Sequence, residues 1–323
     1  MRPGMLLKGL CRPLFLVLIL QLSGCTGGDG GWTRVYENVV TVSLYSIFFT
    51  DSKNGWISGK DGYLIHTSDG GSSWELQESG VKKNLRSIYF TEMDIGWAVG
   101  DDGIIIHTVD GGKHWGKQES KNLEPLYTVY FVDRKTGWAA GAFGAMLHTE
   151  DGGTNWSLQD TGTSSLFRDM RFIDSKRGWI VGEKGSILYT TDGGIKWTRQ
   201  ESKVESHFEG IFFIDDKHGW VTGREGTILE TKDGGARWDR LDTGTDSWLF
   251  DVFFVDSRRG WISAPFGVLL HTEDGGKSWT RQKTGTISYL YKVFFTGHDE
   301  GWVIGSFGLL LHTTTGGKGK IDG

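Results

Sequence analysis

Regularly spaced carboxylates and imidazoles are the first residues in this chain that could do chemistry. Asp69, Asp110, Asp151, Asp192, Asp233 and Asp274 each open an Asp-Gly-Gly-x-x-Trp string, and each lies 41 residues from the next. His66, His107, His148, His271 and His312 keep the same step, with Tyr189 and Glu230 in the two remaining places. Two carboxylates flanking one bond could hydrolyse a glycoside, and imidazoles converging on a point could ligate a metal. The spacing speaks against both. Side chains that recur once per structural repeat are carried apart by successive copies, so they do not converge. The aspartates read as turn formers, each carboxylate accepting backbone N–H bonds while the glycines take left-handed positions. No catalytic pair can be named, and no metal or cofactor is expected.

The unit that carries them spans residues 44–84 and returns six more times without changing length. Its Gly-Trp pair recurs at Gly55-Trp56, Gly96-Trp97, Gly137-Trp138, Gly178-Trp179, Gly219-Trp220, Gly260-Trp261 and Gly301-Trp302. Each copy opens with an aromatic and β-branched segment that ends at a phenylalanine, Phe49 in the first copy, which suits a packed strand. The second and third segments join through Gly59-Lys60-Asp61-Gly62, where a glycine at each end supplies positive φ for a tight hairpin. The Asp-Gly-Gly turn then leads to a fourth strand. A period of about 40–45 residues with four short strands marks a propeller blade. Fifty glycines and only four prolines fit many short strands. The expected fold is all-β, a seven-bladed β-propeller of four-stranded blades over residues 32–318, with residues 319–323 as a tail. The seventh copy has Thr315 in place of Asp and Lys320 where Trp belongs, so it lacks a fourth strand. Trp32-Thr33-Arg34 matches Trp197-Thr198-Arg199 and Trp279-Thr280-Arg281. Residues 32–36 are therefore expected to supply the missing strand and close the ring.

Residues 1–24 read as an export signal: Arg2, Lys8 and Arg12 precede an apolar run at 14–22 that is too short to span a bilayer. Leu22-Ser23-Gly24-Cys25 resembles a bacterial lipobox, which implies lipidation of Cys25, with residues 25–31 as the lipidated start and a Gly-rich tether. The protein is then exported and membrane-anchored by lipid, facing the periplasm, or a thylakoid lumen in a photosynthetic cell. Cys11 leaves with the signal, so no disulfide is expected. Loss of the three cations moves the formal charge from −5 to −8, which argues against nucleic acid as a partner.

Positions that differ between copies are better candidates for binding. Hairpin tips and the links into each first strand fall on one rim. There Trp248, Phe250, Phe266, Tyr289, Tyr291 and Phe307 place aromatic groups on blades six and seven. Trp248 is the one tryptophan outside the repeated series. Aromatic groups near arginines suit a protein-binding surface, and the alternative is that they pack between blades. Arg171 stands in a column otherwise Phe or Tyr, three residues from Arg168, as a recognition residue or an ion-pair partner of Asp169.

Residues 32–315 resemble the photosystem II stability/assembly factor family. The resemblance is carried by Ile47-Phe48-Phe49-Thr50-Asp51, by the Gly-Trp strings running into Leu64-Ile65-His66-Thr67, and by the Asp-Gly-Gly-x-x-Trp turns. It implies a non-catalytic scaffold that binds a newly made reaction-centre subunit, the D1 precursor. The family is described as binding through an arginine-rich patch, for which Arg168, Arg171, Arg199 and Arg224 are the nearest candidates. The same Asp box occurs in sialidases, so a sialidase-like glycoside hydrolase or a glycan-binding propeller is the alternative. Sialidases have six blades and a Phe/Tyr-Arg-Ile-Pro motif that this chain lacks.

Overall fold

The computed structural model describes residues 31–35 and 41–319. They form seven four-stranded antiparallel sheets. Blade one shows the pattern: Leu44–Phe49, Gly55–Gly59, Leu64–Thr67 and Glu75–Leu76 pair in sequence order from the channel outward. Blade seven is built differently. Its three inner strands are Leu290–Phe295, Gly301–Gly305 and Leu310–Thr313, and its outer strand is Thr33–Arg34 from the N-terminal end. Thr33 pairs with His312 and Arg34 with Leu311. Trp32 is buried, donates its indole N–H to Gln282 Oε1 at 2.9 Å and meets Phe295 edge-on at 6.0 Å. The expected closure is what the structure shows.

The Gly-Trp pair is explained by two contacts. Gly55 lies opposite Phe49 across the first two strands, and a Cβ on Gly55 would meet the Phe49 ring at 2.4 Å. The phenylalanine of a blade thus lies over its own glycine. Its other face receives the tryptophan of the preceding blade: Trp56 stacks on Phe90 at 3.7 Å and Trp97 on Phe131 at 3.5 Å. The pattern continues through Trp138–Phe172, Trp179–Phe213, Trp220–Phe254 and Trp261–Phe295, and Trp302 on Phe49 closes it at 4.3 Å. Four of these indoles also donate to the Asp-box turn of the next blade, as Trp56 does to the Gly111 carbonyl at 3.1 Å.

Each Asp box is a closed set of hydrogen bonds. Asp69 Oδ1 accepts from Ser73 N at 2.9 Å and from Thr67 Oγ1 at 2.8 Å, while Thr67 Oγ1 accepts from Gly71 N at 2.8 Å. The other five repeat this arrangement. Gly71, at φ 79, takes the left-handed conformation the turn requires. Thr315 replaces the carboxylate in the last copy and bonds the Lys318 carbonyl at 2.8 Å instead. The hairpin expectation needs one correction. Gly59 is extended, at φ −159, and its missing Cβ makes room for the Ser43 carbonyl. The left-handed residues are Gly62 and the second tip residue, Asp61.

Removing Trp32 empties a core position and unpairs the closing strand. Trp32→Ala is expected to lower unfolding free energy by about 3–5 kcal/mol, read from urea denaturation. An unchanged midpoint would mean that the ring holds without that strand.

The five histidines lie against the tryptophan of their own blade, His66 on Trp56 at 4.6 Å for example. Burial holds each imidazole below the ordinary value of 6.5. The unfolded chain therefore binds protons first, and stability falls as pH drops below 6.5. The Asp-box carboxylates sit below the ordinary 3.8; the His114 side chain and backbone N–H take Asp110 to about 2. A second loss follows below pH 4, about where unfolded aspartates protonate. Tm should be flat above pH 7, fall towards pH 5, and fall again below pH 4. A constant Tm from pH 7 to 5 would contradict the histidine account.

Candidate functional site at the channel mouth

The first strands of neighbouring blades stand side by side and line the channel. Their side chains form three levels. At the mouth, on the hairpin-tip side, are Tyr45, Arg86, Tyr127, Arg168, Glu209, Phe250 and Tyr291, the second residue of each inner strand or its equivalent. They touch in turn. Arg86 lies 4.7 Å from the Tyr45 ring and 6.0 Å from Tyr127, and Arg168 covers the other side of Tyr127 at 4.8 Å. Arg168 Nε is 3.3 Å from Glu209 Oε2, and Arg224 Nε is 3.6 Å from Glu209 Oε1. Arg224 also lies over Trp248 at 4.2 Å, Trp248 packs on Phe250, and Phe250 and Tyr291 lead back to Tyr45. Burial raises the Glu209 carboxyl above the usual carboxylate value, against the opposing charges of Arg168 and Arg224.

The middle level is built mostly of short polar side chains. Ser46 Oγ accepts from Ile88 N and Ser87 Oγ from Val129 N, so each hydroxyl ties its strand to the next blade. Asp169 accepts from Ile211 N and Asp251 from Val293 N in the same way. Blade five contributes only Gly210 at this level. There Lys292 of blade seven reaches past it, donating to Asp251 at 2.9 Å and to Asp169 of blade four at 3.5 Å. Burial lowers the ammonium, but the two carboxylates outweigh it and hold Lys292 above the usual lysine value. Burial pushes Asp251 up, against the pull of Lys292.

The third level faces the Asp-box side and is a ring of Phe48, Tyr89, Tyr130, Arg171, Phe212, Phe253 and Phe294, with aromatic neighbours 4.6–5.7 Å apart. Arg171 fills the one non-aromatic place, its guanidinium 5.5 Å from Tyr130 and 5.0 Å from Phe212. It stacks within the channel, and Asp169 is held by Lys292 and not by Arg171.

The sequence-derived candidates thus separate into groups. Trp248, Phe250, Tyr289, Tyr291 and Phe266 are contiguous, with Phe266 edge-on to Tyr289 at 5.3 Å. Arg168 and Arg224 adjoin them through Glu209. Phe307 is on the same rim and 71% exposed. Arg171 lies deeper, and Arg199 lies on the outer flank of blade four, donating to the Lys184 carbonyl at 3.3 Å. Five residues of the mouth were missed: Tyr45, Arg86, Tyr127, Glu209 and the tip residue Phe143. Arg86, held by Asp101 at 2.8 Å, belongs to the arginine-aromatic ring. Phe143 is a third exposed tip phenylalanine, like Phe266 and Phe307 in left-handed backbone, where a bulky residue is strained. Their shared column in the repeat was the available signal. Among the described residues no group of His, Cys, Asp and Glu is placed to hold a metal.

The chain is thus a seven-bladed β-propeller with arginines and aromatic rings gathered at one mouth, a composition suited to binding. The profile of the family described as "Photosynthesis system II assembly factor YCF48" matches residues 29–125, 74–162, 154–210, 200–286 and 237–320, and the chain belongs to that family. A structure titled "YCF48 bound to D1 peptide" is 24% identical, with TM-score 0.75 over 88% of this chain and 97% of that one. YCF48 from Cyanidioschyzon merolae is 25% identical, with TM-score 0.74 over 88% and 98%. A streptogramin B lyase structure reaches TM-score 0.76 at 11% identity, over 87% and 96%, and so shares the fold alone. No curated protein matches the chain.

Lys292→Met would leave Asp169 and Asp251 buried without their cation. A loss of about 3–5 kcal/mol is expected in urea denaturation, with partial recovery when Asp251→Asn is added. No recovery would mean that lost packing, not charge, sets the cost.

Proposed function

We propose that this chain is a non-catalytic assembly factor that holds an exported segment of a newly made membrane protein at the channel mouth, with the photosystem II subunit D1 as first candidate client. The observation that carries this reading is the family match along the whole ring, supported by a relative of the same fold that bears a D1 peptide. The mouth suits the task. Trp248, Phe250, Tyr289 and Tyr291 offer apolar faces with polar edges, and Arg86, Arg168 and Arg224 bring charge beside them. The Asp-box carboxylates are committed to their own turns, which argues against a glycosidase.

Membrane attachment through Cys25 is part of the proposal, and that residue lies outside the described part of the chain. Gly31 adjoins Gly317 and Lys318 at the seventh Asp-box turn, where a Cβ on Gly31 would be 2.4 Å from the Lys318 carbonyl. The tether thus leaves the propeller on the rim opposite the mouth. Six residues reach at most about 20 Å. A lipid on Cys25 would hold the Asp-box rim near the bilayer and turn the mouth toward the periplasm or lumen.

Capture of a labelled exported D1 segment by the purified propeller tests the reading. Trp248→Ala should weaken capture by about thirtyfold, the effect of a hot spot of about 2 kcal/mol, while the Tm changes little. Undiminished capture would move the site away from the mouth, and hydrolysis of a fluorogenic sialoside would overturn the non-catalytic assignment.

A further inference from the structure

We propose that Glu209 is an internal stand-in that occupies the Arg168–Arg224 fork until a carboxylate of the bound segment displaces it. The inference rests on the mouth being the client site and names the group recognised there. In this column the other six copies carry an aromatic ring or an arginine, and blade five alone carries an acid. The Glu209 side chain is 9% exposed, whereas Arg168 and Arg224 are 28% and 39% exposed. The guanidiniums are therefore reachable from the mouth, and the acid is tucked between them.

The pairing is a poor one. Each arginine approaches through Nε at 3.3 or 3.6 Å, whereas charge-assisted pairs usually close to about 2.7–2.9 Å and are often bidentate. Glu209 Oε1, Arg224 Nε and the Trp248 indole nitrogen are buried and none closes to a hydrogen bond within 3.5 Å, although the Arg224 and Trp248 N–H groups both act on the Glu209 carboxylate. Two donors, one of them on Arg224 itself, are thus held at long range from the Glu209 carboxylate beside Arg168. A planar carboxylate entering there has two oxygens to accept from them, which a side chain anchored on the blade-five strand does not match. Below it Lys292 is already engaged by Asp251 and Asp169, so it does not compete for the ligand group. The ligand group therefore pairs with the arginines of the mouth. Like charges do not share the fork, so Glu209 competes with the client and keeps the complex reversible, as a factor that must release its client requires.

Calorimetric titration with a short synthetic peptide from the exported D1 segment tests this. The peptide is used as free acid, as C-terminal amide, and with its acidic side chains replaced by Asn and Gln. Glu209→Gln should bind the free-acid peptide about tenfold tighter than the unmodified protein does. Loss of that gain on amidation identifies the chain terminus as the docked group, and loss on Asn/Gln replacement identifies a side chain. Equal affinities of the two proteins for every form, or no binding by folded Glu209→Gln, would overturn the inference. If Glu209→Gln fails to fold, the Nε–Hε NMR signals of Arg168 and Arg224 in the unmodified protein decide. They should shift with the carboxylate-bearing peptide and not with its fully neutral form, and unmoved signals would overturn the inference. Capture of the D1 segment that Trp248→Ala weakens but Glu209→Gln leaves unchanged would remove this inference and leave the client assignment standing.

Discussion

The ring depends on one contact made seven times, the tryptophan of a second strand laid flat on the phenylalanine of the next blade's first strand. Neighbouring inner strands do not pair as a continuous sheet, so blades are joined by side chains. An aromatic pair contributes about 0.5–1.5 kcal/mol beyond area burial, and seven sum to roughly 4–10 kcal/mol, on the scale of a domain's whole net stability. The same phenylalanine requires glycine opposite it in its own blade, and it meets the fourth-strand tryptophan edge-on. The Gly-Trp string, the Phe column and the second tryptophan are thus one packing unit seen from three places. The last stack, Trp302 on Phe49, joins the two ends of the ring, and Thr33–Arg34 completes the blade that supplies it.

A second set of contacts makes the junctions directional. Gln77, directly after the outer strand of blade one, donates to the Gly111 carbonyl of the next Asp box at 2.9 Å and accepts from the Trp115 indole at 3.3 Å. Gln118 repeats both bonds, as does Gln282 with Gly316 and Trp32. Blade five has Leu241 in that column, and the Trp279 indole nitrogen opposite it has no hydrogen-bond partner among the described residues. The Asp box is therefore a structural clasp between blades, with its carboxylate spent inside the turn. The channel and its mouth lie outside these bonds, and the copies differ there.

The blade count, strand order, Asp-box turns and N-terminal closure were legible because each is local and repeated. Trp32 announced itself by matching Trp197 and Trp279. The mouth was legible in part: its aromatic side on blades six and seven could be read from off-pattern residues at known places in the repeat. Contacts across the channel could not. Lys292 and Asp169 are 123 residues apart, and their meeting depends on Gly210 leaving space in a blade between theirs. Arg171 read as a recognition residue or an ion-pair partner of Asp169 because charge in an aromatic column is conspicuous. A guanidinium is also flat and stacks on rings, and that is the role it takes between Tyr130 and Phe212. Arg199 shares the charge but not the location, since its strand lies on the outer flank.

The account places the client on the arginine-aromatic mouth and assigns the Asp-box rim to structure. Hydrogen exchange of the propeller with and without the exported D1 segment tests that division most directly. Slowed exchange is predicted at the starts of the inner strands and the hairpin tips of blades four to seven, around residues 166–169, 207–210, 248–251 and 289–292, with the Asp-box turns unchanged. Protection concentrated on the Asp-box turns or along the outer strands would contradict it.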